Sequence, residues 1–128
     1  MTNGEKASVL LAEDDTSLRT VLTLELKRLG LEVVAVPGGR EALEAIGART
    51  FDIVITDLKM PQVDGFQVLD ETRKRNPEAQ VLVITGHGSV DSAVRAMKSG
   101  AFDYLQKPVD PETLALTVDK ALERQRLL

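Results

Sequence analysis

The chain has 128 residues, the size of one domain and enough to bury a core of its own. Its formal charge of −4 and its lack of cysteine exclude a strongly basic nucleic-acid binder, a disulfide scaffold and a thiolate metal site. No apolar run approaches the ~20 residues that span a bilayer, and MTNGEKASVLLAEDD is too weakly apolar for a signal peptide, so a soluble, cytoplasmic domain without membrane contact is expected.

Short apolar runs alternate with longer periodic segments. The first run, Ser8–Ala12, contains VLLA and reads as a strand. A helix follows in which Leu18, Val21, Leu22 and Leu29 share the predicted inner face, with Gly30 as terminator. Glu32–Val36 is a second strand, whose weaker alternation fits a sheet edge. A short helix from Gly39 to Ile46, closed by Gly47, leads to the third strand, Phe51–Thr56, with Asp57 at its end. The third helix opens at Asp64-Gly65, where Asp64 caps, and runs to Asn76, where Pro77 stops it. Its basic run, Arg73-Lys74-Arg75, reads as a solvated helix end.

Gln80–Thr85 is the fourth strand; IVIT and VLVIT, like VLLA, have the continuous apolar character of parallel strands covered on both faces. The fourth helix is expected from Ser89 to Ser99, with Val90, Ala93, Val94 and Met97 facing inward and Gly100 closing it. Asp103–Gln106 is the fifth strand, and Asp110-Pro111-Glu112 starts the last helix with a cap and a proline at the first position. In that helix Leu114, Val118, Ala121, Gln125 and Leu128 begin a heptad spacing that can extend into a dimeric linker.

Five βα repeats with short connections and right-handed crossovers predict one α/β domain over residues 1–128. The expected fold is a flavodoxin-like (βα)5 doubly wound parallel sheet in the common order 2-1-3-4-5. The working crevice of such sheets lies beyond the carboxyl ends of the strands. Glu13, Asp14 and Asp15 follow the first strand, Asp57 the third, Thr85-Gly86-His87-Gly88 the fourth and Lys107-Pro108 the fifth. Glu13, Asp14 and Asp57 converge in that order, and their repulsion calls for a counter-charge. A hard cation fits, Mg²⁺ best. Lys107 adds a second positive charge and Thr85 a hydroxyl, which together suit phosphoryl transfer to an oxygen nucleophile. Asp15 is assigned to capping or the rim, His87 to solvent, and Met60 and Phe102 to packing.

At these residues the chain resembles a response-regulator receiver domain, through LLAEDDTSLR, DIVITDLKMPQVDGF, VLVITGHGSV and AFDYLQKP, over nearly its whole length. The resemblance implies that Asp57 is the phosphoacceptor and that Glu13 and Asp14 are the acidic pair for Mg²⁺. It implies too that the carbonyl of Lys59 completes the protein's metal ligands. Thr85 then contacts the phosphoryl group, Lys107 pairs with it, and Tyr104 is the switch aromatic. The Lys107–Pro108 bond is expected to be cis. Glu13 stands where many members have Asp. TGHGSVDSAVRAMKSGAFDYLQKP looks most like the receivers of NtrC-type activators, which work with the alternative sigma factor. That likeness implies a sensor histidine kinase as phosphodonor and an ATPase and DNA-binding output domain as target, while the heptad spacing of the last helix is the ground for expecting a homodimer through it.

A stand-alone receiver acting by protein binding is the alternative. An aspartate-nucleophile phosphatase would want a second Asp two residues after the nucleophile, where this chain has Lys59. A flavodoxin-like cofactor binder would need a phosphate-cradling loop where the chain has the acidic EDDTS.

Overall fold

The computed structural model describes residues 6–86 and 90–128, so His87, Gly88 and the expected helix start at Ser89 lie outside the described residues. Five parallel strands form one sheet in the order β2-β1-β3-β4-β5. They are β1 (Ser8–Ala12), β2 (Glu32–Val36), β3 (Ile53–Asp57), β4 (Gln80–Thr85) and β5 (Asp103–Gln106). Helices α1 (Thr16–Arg28), α2 (Gly39–Ala48), α3 (Gly65–Arg75), α4 (Val90–Lys98) and α5 (Pro111–Arg126) alternate with them. The fold and strand order are those expected from the sequence.

The continuously apolar strands are explained by two cores, one on each face of the sheet. Val9, Leu11, Ile53, Ile55, Leu82 and Ile84 point to one side, where α1 and α5 supply Leu22, Leu26, Leu114, Val118 and Ala121. Leu10, Ala12, Val54, Val81 and Val83 point to the other and meet Ala42 and Ile46 of α2, Val68 and Leu69 of α3 and Ala96 of α4. Successive strand residues serve opposite faces, so a strand covered on both sides has no polar position to spare. Phe102 and Met60 pack as expected, Met60 being buried and Phe102 partly so.

The third strand differs from its expected span. It starts at Ile53, because Phe51 turns into the core and Asp52 uses its carboxylate to accept the Ser8 N–H at 2.8 Å. It also includes Asp57, which pairs in register with Ile84. Helix α2 runs through Gly47 to Ala48, since Gly47 sits in its last turn with ordinary helical backbone. The turns after α1 and α4 do use left-handed glycines, Gly30 at φ +85° and Gly100 at φ +104°. At the end of α3, Arg73 donates to the Pro77 carbonyl and Arg75 pairs with Glu71, so the basic run stabilises the helix end.

Two predicted inner faces need correction. In α1 the buried pair is Leu22 and Leu26, one turn apart, whereas Val21 is 52% and Leu29 43% exposed. In α4 the sheet receives Ala93 and Ala96, while Val90, Val94 and Met97 are exposed. An apolar stripe identifies a face but not what covers it, and the small alanines let α4 lie on the sheet with its larger side chains beside the contact. In α5 the first three heptad positions, Leu114, Val118 and Ala121, are consumed by the domain's own core, and Leu128 is exposed.

The α1 correction has a direct test in chemical denaturation. Leu26→Ala is expected to lower the unfolding free energy by ~2–5 kcal/mol through transfer and cavity terms. Val21→Ala is expected to change it by less than ~0.5 kcal/mol.

Candidate functional site

The carboxyl ends of β1, β3, β4 and β5 open onto a cleft of about 760 Å³ lined by, among others, Asp14, Asp57, Lys59, Thr85 and Lys107. Asp57 is held there by the chain that follows it. The Leu58 N–H donates to the Ile84 carbonyl and the Gly65 N–H to the Leu58 carbonyl, folding the loop back so that α3 begins against the end of β3. The approach is so close that a Cβ on Gly65 would lie 2.2 Å from the Asp57 carbonyl oxygen. Asp64, one residue earlier, caps α3 in a reciprocal box with Gln67.

Asp57 is 5% exposed and both its oxygens are engaged. The Lys59 N–H donates to Oδ1 at 3.2 Å, and Lys107 Nζ donates to Oδ2 at 2.8 Å. Lys107 is delivered by β5, whose end is tied to β4 by the Lys107 N–H donating to the Thr85 carbonyl at 2.8 Å. The Lys107–Pro108 bond is cis. Burial works against the Lys107 charge, but the hydrogen bond and charge of Asp57, with the charge of Glu13, raise its pKa above the ordinary value.

Glu13 is fully buried. Its Oε2 accepts the Asp15 N–H at 2.9 Å, while Oε1 has no hydrogen-bond partner among the described residues and lies 3.5 Å from Lys107 Nζ, an ion pair without a hydrogen bond. Burial is the main cause that pushes the Glu13 carboxyl up to about 7; the neighbouring Asp57 charge adds to it, against the Asp15 hydrogen bond and the Lys107 charge. Asp15 caps α1 by accepting the Leu18 N–H, as expected of it, and Asp14 is exposed on the cleft.

Ligand oxygens of Glu13, Asp14 and Asp57 lie within 4.8 Å of one another. The donor set is all oxygen, and one buried carboxylate oxygen lacks a hydrogen-bond donor. Both features fit a hard divalent cation held through carboxylates. The structure thus brings together the residues assigned to the site from sequence: Glu13, Asp14, Asp57, Lys59, Thr85 and Lys107.

Thr85 is 3% exposed, and among the described residues its hydroxyl donates only to the Leu105 carbonyl at 3.5 Å, the weak end of hydrogen-bond geometry. It separates the cleft from a second, apolar groove bounded by Val90, Val94, Met97 and Tyr104. Tyr104 stands at that groove, 45% exposed.

Phe66, Ser92 and Arg95 are among the cleft residues that went unmarked in the sequence. The Arg95 guanidinium lies 3.8 Å from the centroid of the Phe66 ring, a contact worth about 0.5–1 kcal/mol at an exposed position. They sit on different helices, and no sequence spacing links them. Gly65 was read as a helix start, and its packing against Asp57 is a further requirement at the same position.

Residues 9–119 match the family model of the response regulator receiver domain. The transcriptional regulatory protein ZraR of Klebsiella oxytoca is 42% identical over 125 residues, which cover 98% of this chain and 28% of ZraR. The DNA-binding transcriptional regulator NtrC of Escherichia coli K12 is 36% identical over 118 residues, 92% of this chain and 25% of NtrC. The chain therefore spans about a quarter of the length of these curated relatives. Among solved structures, a receiver domain protein of Clostridium thermocellum superposes with a TM-score of 0.89 at 36% identity, covering 94% of this chain and 98% of that one. NtrX of Brucella abortus superposes with a TM-score of 0.90 at 33% identity, covering 96% of this chain and 28% of NtrX.

The raised Glu13 carboxyl sets a pH dependence. Between the ordinary 4.5 and about 7 the folded domain binds more protons than the unfolded chain, so its metal-free stability falls as pH rises through that window. The full effect is roughly 3 kcal/mol. A divalent cation needs the ionised carboxylate, so its stabilisation grows over the same range. Melting curves at pH 5 and pH 8, with Mg²⁺ and with chelator, are expected to show a larger Mg²⁺-induced rise in Tm at pH 8. Glu13→Gln should flatten the metal-free dependence between the two.

Proposed function

The chain belongs to the response regulator receiver domain family, and from that premise we propose that it is a signalling switch that accepts a phosphoryl group on Asp57 from a sensor histidine kinase. The observation that carries the proposal is the Asp57 carboxylate: buried at the end of β3, hydrogen-bonded to Lys107 at 2.8 Å, and within 4.8 Å of the Glu13 and Asp14 ligand oxygens.

An Asp57 oxygen attacks the phosphorus of a phosphohistidine. The new O–P bond forms as the P–N bond breaks, and its electron pair leaves with the imidazole. Lys107 is already in contact with the nucleophile, so its ammonium offsets charge on the transferring group without reorganising. Glu13, Asp14, Asp57 and the Lys59 carbonyl would hold Mg²⁺, which supplies further neutralisation of the phosphoryl oxygens when bound. Lys59 stands two residues after the acceptor and has no acid-base chemistry suited to rapid hydrolysis, which favours a stored acyl phosphate over a turnover enzyme.

The product carries about −2 charge and three strong acceptor oxygens. The Thr85 hydroxyl, weakly held by Leu105, turns toward them, and the space it leaves admits the Tyr104 ring. The surface of α4, β5 and α5 changes shape in consequence, a local charge event biasing a two-state element. The likeness to ZraR and NtrC supports a receiver whose output lies in an ATPase and DNA-binding portion of a longer protein. The end of α5 would then lead into the linker, and a homodimer through it would rest on Gln125 and Leu128.

Incubation with Mg²⁺ and a small acyl phosphate, read by intact mass, is expected to add one phosphoryl group to the wild type. Asp57→Asn should gain none, and chelation should abolish the gain; no gain in the wild type would overturn the proposal. Tyr104 is the chain's one tyrosine and there is no tryptophan, so tyrosine fluorescence reports the switch directly. Thr85→Ala is expected to take up the phosphoryl group with a several-fold smaller fluorescence change than wild type. Equal changes would sink the coupling through Thr85.

A further inference from the structure

Helix α4 rests on the sheet through two small residues, Ala93 and Ala96, so its seat is shallow. Its remaining faces look in two directions. Val90, Val94 and Met97 border the groove with Tyr104. Ser92 and Arg95, one turn apart, line the cleft that holds Asp57. The helix is thus a lever with one side at the acceptor and the other at the switch aromatic.

Arg95 is exposed on this cleft, and among the described residues it forms no ion pair despite the nearby carboxylates. Its guanidinium lies instead over the ring of Phe66. Phe66 directly follows Gly65, whose backbone is pressed against Asp57, and its side chain lines the same cleft as the acceptor. Before phosphorylation the two Asp57 oxygens already face Lys107, the Lys59 N–H and the candidate cation position, so a guanidinium gains little by joining them. An aspartyl phosphate differs: it presents three strong acceptors and about −2 charge. A guanidinium binds such a group through two parallel hydrogen bonds, which are stronger and more directional than a stack on a ring.

We infer that Arg95 is a positioning residue of the phosphorylated state: its guanidinium leaves the face of Phe66 for the phosphoryl oxygens and draws α4 toward Asp57. This rests on the phosphoacceptor reading of Asp57 and adds to it a second route from the acceptor to α4, independent of Thr85. Phe66 is the competitor that holds Arg95 back while the site is unphosphorylated. Because both residues line one cleft, the exchange is a change of side-chain rotamer and a small shift of a shallowly seated helix.

The test uses beryllofluoride with Mg²⁺ as a stand-in for the phosphoryl group. In the free domain the Arg95 side-chain resonances are expected to carry the ring-current shift of Phe66, and saturating beryllofluoride should abolish it. Arg95→Ala is expected to weaken beryllofluoride binding about tenfold, the loss of a charge-assisted contact. Phe66→Leu should tighten it about two- to threefold by removing the competing stack. A pair that merely staples α3 to α4 would move both variants in the same direction, and that result would overturn the inference. So would Arg95 resonances that stay ring-shifted at saturation while the intact mass of the wild type shows a phosphoryl gain from acyl phosphate. If the wild type neither gains the phosphoryl group nor binds beryllofluoride, the phosphoacceptor reading falls, and this inference falls with it.

Discussion

The 2.8 Å contact between Lys107 and Asp57 is the interaction on which the site depends. It joins the ends of β3 and β5, which are not neighbours, across β4. Three carboxylates converge at this edge, and one ammonium reaches two of them. The remaining negative charge is unbalanced by side chains of the cluster, and part of the response is visible in Glu13, whose burial favours its protonated form. A cluster built this way stores an affinity for positive charge. Under the proposed function, a metal ion and a transferring phosphoryl group would meet in it with complementary needs, the first for oxygens and the second for cations.

The same sheet makes the site rigid on one side and compliant on the other. Glu13 and Asp57 extend from strands buried on both faces, and α3 is locked to the acceptor by the close approach of Gly65. Opposite them stand elements held less firmly. Among the described residues the Thr85 hydroxyl has one long hydrogen bond, Tyr104 is at an edge strand, and α4 contributes two alanines to the core. Under the proposed function, a change of charge at Asp57 would act between a fixed half and a movable half, and the movement would fall on the α4–β5 surface.

Much of this was legible in the sequence because the relevant signals are local. VLLA, IVIT and VLVIT leave no polar position, which marks strands buried on both faces, and the residues after such strands fall on one edge by topology alone. Glu13, Asp14, Asp57, Thr85 and Lys107 were found by that rule, together with the receiver-like motifs around them. What escaped was non-local. Periodicity placed Val21, Leu29, Val90, Val94 and Met97 on inner faces, but only the packed structure decides which apolar side chains a sheet covers. The Phe66–Arg95 contact joins two helices through space, and the raised carboxyl of Glu13 follows from the depth of its burial. Gly65 carries a steric demand from a backbone that is distant in no sense except orientation.

The central claim is that the reactive oxygen belongs to Asp57 and that its carboxylate neighbours manage charge. Borohydride reduction of the domain after treatment with acyl phosphate tests it at the level of the atom, since an aspartyl phosphate is reduced to homoserine while a free carboxylate is not. Peptide mass mapping is predicted to find homoserine at position 57, with Glu13 and Asp14 unreduced. Reduction at Glu13 or Asp14, or no reduced residue in a preparation that carries the phosphoryl mass, would contradict the account.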